Sequence, residues 1–121
     1  MLAIVPGKQN NTQNNLIVAV LGFLSVNYNH TNLSETAHFF GYSSAYFSRF
    51  IRENTGKTYM QIITAIQMEN AVSLMKRGKT NLAAIAQEVG CFDSSHFNRK
   101  FKSIYGMSPR EYKELLLAKK L

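Results

Sequence analysis

The chain has 121 residues, 45% of them hydrophobic, and carries fourteen Lys and Arg against seven Asp and Glu, a formal net charge of +7. That length suits one ordinary domain or two very small ones sharing a core, and the excess of cations favours a polyanionic partner, nucleic acid ahead of an anionic membrane surface. A single cysteine, Cys91, excludes an intramolecular disulfide, and with only three scattered histidines it cannot make a zinc site.

The opening MLAIVPG lacks the basic start of a secretory signal, and no stretch approaches the ~20 apolar residues of a membrane span. A soluble, cytoplasmic protein with no membrane partner is expected. Residues 1–15 are expected to be a flexible tail or linker, because PGKQNNTQNN at 6–15 has no hydrophobic period. From Leu16 apolar residues recur at Ile17, Val20, Leu21 and Leu24, a helical stripe that stops in NYNHTN. Asn32, three residues before Glu35, caps a short helix that runs to about Phe40 before Gly41 breaks it. Ser43 caps the next helix, predicted to end near Gly56.

The longest uninterrupted helical pattern covers about 58–76 and ends in the basic cluster KRGK, where cations complement the negative end of the helix and Gly78 supplies the stop. Asn81 opens a second short helix, LAAIAQEV, which ends at Gly90, and a longer helix follows the turn GCFDSS and ends at Gly106. Ser108, Pro109 and Glu111 supply the cap, first and third positions of a last helix over about 109–119. The fold class is therefore all-α, with about seven helices and no competing strand pattern.

One phrase occurs twice. YFSRFIRENTG at 46–56 and HFNRKFKSIYG at 96–106 align at an offset of 50, with Phe47 on Phe97, Arg49 on Arg99 and Gly56 on Gly106. The repeat extends upstream at an offset of 49, where Leu33, Ala37 and Gly41 match Leu82, Ala86 and Gly90, so the second turn holds one extra residue. A short helix with a small central residue, a glycine turn and a longer helix is the outline of a helix-turn-helix. Two such units are expected, over about 32–56 and 81–106.

At ~100° per residue, Phe47, Phe50 and Ile51 share one face of the first longer helix, with Ala45, Arg49 and Arg52 opposite. In the second, Phe97, Phe101 and Ile104 are expected to cluster, with Ser95, Arg99 and Lys102 opposite. Arg can contact guanine in two places, Lys and Arg bind phosphate, and Ser and Asn bond to base edges or backbone. The candidate DNA-binding residues are Ser44, Ala45, Ser48, Arg49 and Arg52 in the first helix and Ser94, Ser95, His96, Asn98, Arg99 and Lys102 in the second. Arg49 and Arg99 are the base-reading candidates, and Arg52 and Lys102 the phosphate partners.

The sequence resembles the DNA-binding domain of the AraC/XylS family of bacterial transcription regulators from about Leu16 to Tyr112. The resemblance rests on L-x-x-x-A-x-x-x-G-Y-S-x-x-Y-F-S-R at Leu33 to Arg49, I-A-x-x-V-G at Ile85 to Gly90, D-x-S-x-F-x-R-x-F-K at Asp93 to Lys102 and G-x-S-P-x-x-Y at Gly106 to Tyr112. It implies two helix-turn-helix subdomains joined by a long linker helix, each placing its second helix in the major groove of double-stranded DNA. A linker of about 18 residues at ~1.5 Å each suits grooves one DNA turn, ~34 Å, apart. The resemblance also implies RNA polymerase as a partner, with no cofactor and no small-molecule ligand in this segment. Family members commonly carry a separate sensor or dimerisation domain; residues before Leu16 are too few and polar to be one, so a stand-alone binder or the C-terminal piece of a longer regulator is expected.

Two positions depart from the family pattern. Cys91 stands where an aromatic is usual, with Phe92 expected to help fill the space, and Gln67 stands where the linker helix often carries an Arg. The seven carboxylates are scattered, no glycine-rich phosphate loop is present, and the histidines lack a partner pattern, so no enzymatic activity is expected. His30 and His38 read as surface or packing residues. Two alternatives remain open: a basic RNA-binding module, and the DNA-binding part of an alkylation-repair protein, which would make Cys91 a methyl acceptor. No cation stands beside Cys91 in sequence to activate a thiolate, so a small buried hydrophobe is the expected role.

Overall fold

The computed structural model describes residues 11–119, with side chains from Asn14 onward. Among the described residues there are seven helices and no strand: α1 (Asn11–Asn27), α2 (Leu33–Phe39), α3 (Ser44–Thr55), α4 (Tyr59–Lys76), α5 (Leu82–Glu88), α6 (Ser94–Tyr105) and α7 (Pro109–Lys119). The chain divides into two compact units, the first ending at Tyr59 and the second beginning at Met60.

The capping residues legible in the sequence do what their chemistry predicts. Asn32 Oδ1 accepts from the Glu35 amide at 2.8 Å, Ser43 Oγ from the Tyr46 amide at 3.2 Å and Asn81 Oδ1 from the Ala84 amide at 3.1 Å. At the start of α7 the reciprocal box is complete: the Glu111 amide donates to Ser108 Oγ at 3.1 Å, and Glu111 Oε1 accepts from the Ser108 amide at 2.8 Å. Helices α3 and α6 end alike. Gly56 and Gly106 adopt φ of 75° and 76°, and their amides donate to Arg52 and Lys102 carbonyls. Only glycine takes that left-handed conformation without strain, which is why both copies of the phrase close on it.

One boundary differs from expectation. Helix α1 begins at Asn11, five residues before the apolar stripe starts at Leu16, so Asn11–Asn15 are helical rather than tail. Once a helix is nucleated, each added residue gains a hydrogen bond, and a polar run can prolong it without burying anything. Residues 1–10 of the expected tail lie outside the described residues.

The first unit is held by Val20 and Leu24 of α1, Ala37 of α2 and Phe47, Phe50 and Ile51 of α3, all buried. Aromatic contacts run from Phe23 to Phe40 (5.6 Å between ring centres) and from Phe40 to Phe47 (6.0 Å). Thr36 is buried but satisfied: its hydroxyl donates to the Asn32 carbonyl at 2.8 Å and meets the Tyr59 hydroxyl at 3.0 Å. Burial pushes the Tyr59 phenol above its ordinary value.

The second unit buries Ile85, Ala86, Val89, Phe97 and Phe101 with Met68, Ala71, Leu74 and Met75 of α4. Phe101 is its aromatic hub, with ring centres at 6.1 Å from Phe97, 4.8 Å from Tyr105 and 5.7 Å from Tyr112. Ile104, expected in this cluster, is 42% exposed. At the end of α6 the apolar patch meets α7 on the side of Tyr105, which stacks on Tyr112 at 6.1 Å, and Ile104 falls outside it.

Candidate nucleic-acid interface

Burial of Phe47, Phe50 and Ile51 fixes which way α3 faces, and burial of Phe97 and Phe101 does the same for α6. The residues between them are then turned outward. Ser44, Ala45, Ser48, Arg49 and Arg52 are all exposed on α3, as are Ser94, Ser95, His96, Asn98, Arg99 and Lys102 on α6. Each unit thus presents one outward strip of small polar residues and cations, opposite its aromatic core. His30 and His38 are also exposed but belong to other segments.

The two strips are built alike and finished differently. On α3 the Arg49 guanidinium lies 5.9 Å from the centre of the Tyr46 ring, a cation–π contact that restricts the side chain. Tyr46 in turn stacks on Tyr42 at 4.9 Å. The signal for this pair was present as Tyr and Arg three residues apart on one helix, a spacing that makes neighbours. At the same register α6 has His96 before Arg99.

The helix starts differ in charge. Ser43 is a neutral cap, whereas Asp93 Oδ1 accepts from the Ser95 amide at 2.9 Å and the His96 amide at 3.4 Å. The turns begin alike. The Tyr42 amide donates to the Ala37 carbonyl at 2.9 Å, and the Cys91 amide makes the equivalent bond to Ala86 at 2.8 Å.

Cys91 is 4% exposed and itself occupies the space beneath the turn, while Phe92 is 77% exposed. The expectation that Phe92 shares in filling that space is therefore corrected. The backbone bond places Cys91 at the position equivalent to Tyr42, and the side chain that follows it, Phe92, is left in solvent. Burial pushes the Cys91 thiol up, more than nearby Lys100 pulls it down. A protonated, enclosed thiol is a poor nucleophile, which opposes the methyl-acceptor alternative.

Gln67 is buried at 5% exposure, and its Oε1 accepts from Lys100 Nζ at 3.0 Å. The position thus receives a cation from α6 instead of carrying one, a pairing across 33 residues that no local pattern announces. Among the described residues no three His, Cys, Asp or Glu gather in a metal-binding group, and no helix is long and apolar enough to cross a membrane.

A family model described as a helix-turn-helix domain matches residues 36–115. An uncharacterised HTH-type transcriptional regulator of Haemophilus influenzae is 28% identical over 99 residues, which cover 82% of this chain and 33% of that protein. The chain spans less than half the length of the curated relatives it matches first. The C-terminal domain of the two-component response regulator yesN from Fusobacterium nucleatum superposes with a TM-score of 0.77 at 26% identity, covering 82% of this chain and 98% of that one. The DNA-binding domain of AdpA, solved in complex with a target DNA, shares the fold with a TM-score of 0.74 at 18% identity, over 91% of this chain and 96% of that one.

Proposed function

The chain belongs to the AraC-type family of helix-turn-helix DNA-binding domains of bacterial transcription regulators, and from that premise we propose that it binds double-stranded DNA sequence-specifically, α3 and α6 entering adjacent major-groove segments of one site. The observation that carries this reading is the matched pair of outward strips, each with an exposed Arg at the same register of a helix whose opposite face is buried aromatic. Arg49 and Arg99 read base edges, guanine being the base whose two acceptors fit a guanidinium. Arg52 and Lys102, one turn further along, bind phosphate and set the position of each helix. The action is binding rather than catalysis, it takes place in the cytoplasm, and its regulatory consequence runs through RNA polymerase. Neither a cofactor nor a small-molecule ligand enters this segment in the proposal.

The test is a binding-site selection scored base by base. Arg49→Ala and Arg99→Ala are each expected to cost about 1 to 3 kcal/mol and to relax preference only at their own segment. Arg52→Ala and Lys102→Ala should weaken all sequences alike. A selected site unchanged by both Arg49→Ala and Arg99→Ala would overturn the proposal.

A further inference from the structure

The second turn contains one residue that the first does not. Equivalent backbone bonds, Tyr42 to Ala37 and Cys91 to Ala86, keep the units in register up to that point, and the helix caps resume at Ser43 and Asp93. Phe92 is the insertion.

Cys91 occupies the buried place, so the phenyl ring of Phe92 stands 77% exposed, the most exposed large hydrophobic side chain among the described residues. Holding a ring in water leaves its transfer free energy unrealised, and the fold gains nothing from it until something covers the ring. The ring sits beside the Asp93 cap at the start of α6, the end at which a recognition helix comes nearest the bases. Together with Ser94, and with Ala83, Ala84 and Gln87 of α5, it lines an open groove.

Two pieces of chemistry narrow what would cover it. The Asp93 carboxylate next to the ring repels phosphate, which disfavours the sugar–phosphate backbone as the neighbour. Among base edges in the major groove, the apolar group on offer is the C5-methyl of thymine, which Phe is suited to contact.

We propose that Phe92 is a specificity-determining residue that packs on the methyl group of one thymine in the segment read by the second unit. The first unit has no counterpart, so the two segments of the site are read by different rules. This inference rests on the DNA-binding reading above and deepens it.

The experiment starts from the site selected by the wild-type chain and replaces each thymine of its second segment, one at a time, by deoxyuridine, which removes only the methyl group. One replacement is expected to weaken wild-type binding about fourfold, the worth of one methyl-sized apolar contact. Phe92→Ala should bind the thymine and deoxyuridine duplexes equally, and Phe92→Leu should keep part of the discrimination. Since the side chain is exposed, both variants should melt with the wild type.

Wild-type indifference to every replacement would overturn the inference, as would equal discrimination by Phe92→Ala. A variant that weakens all sequences alike would overturn it in favour of packing on sugar. A selected second segment without thymine defeats this inference alone, whereas failure to select any site defeats the DNA-binding reading and this inference with it.

Discussion

Arg49 and Arg99 hold the same register in the repeat, yet one lies against a tyrosine ring and the other follows a histidine, so identical letters are finished by different neighbours. The aromatic residues behind them were the most legible part of the sequence. Phe47, Phe50, Ile51, Phe97 and Phe101 all fall on the face that a 3.6-residue period assigns to the core, and all are buried. Ile104 shows where that reasoning stops: periodicity gives a direction around the helix and is silent on where the packed patch ends along it. The pairs Thr36 with Tyr59 and Lys100 with Gln67 were illegible for a related reason, since each joins residues far apart in sequence. Phe101 is fully buried at the centre of three ring contacts, so Phe101→Ala is expected to destabilise the second unit by about 3 to 5 kcal/mol. Urea or thermal unfolding followed by circular dichroism measures this directly, and a wild-type curve would contradict the core assignment.

Helix boundaries were legible wherever a side chain marks them. Asn32, Ser43, Asn81 and Ser108 each satisfy an amide that the helix leaves unpaired, and Gly56 and Gly106 supply backbone conformations that other residues take only with strain. The start of α1 was not legible, because it lies in a polar run with no apolar spacing to mark it. The start of α7 adds a pH dependence. Hydrogen bonding from the Ser108 amide and side chain holds the Glu111 carboxyl below its ordinary value of 4.5. A carboxyl whose folded pKa is depressed contributes stability above its unfolded pKa and loses it as pH falls through the folded one. Acidification below about pH 4.5 should therefore erode the cap, and Glu111→Gln should remove that component of the acid response. Melting temperatures of the two proteins between pH 7 and pH 3 decide the matter: the wild type should fall more steeply, and parallel curves would contradict the assignment. Glu111 is exposed, so the difference is expected to be small.

At the scale of the whole chain, the repeated phrase is enough to announce two units, and the one-residue change of offset marks the place where they diverge. Which residue is the inserted one could not be read from spacing, because either Cys91 or Phe92 satisfies the count. The backbone bonds resolve it: the Cys91 amide donates to the Ala86 carbonyl as the Tyr42 amide does to that of Ala37, which leaves Phe92 as the extra residue.

The central claim is that both units engage one DNA site, which turns on geometry as much as on residues. If a recognition helix in each unit reads its own major-groove segment, the two segments lie on groove faces that recur every ~10 base pairs. Inserting about five base pairs between the two selected segments turns the second to the opposite side of the duplex, where the second unit of the same chain should no longer meet it. Affinity for the expanded site is expected to fall to that of the first segment alone, and affinity unchanged by the insertion would contradict the claim that α3 and α6 read DNA together.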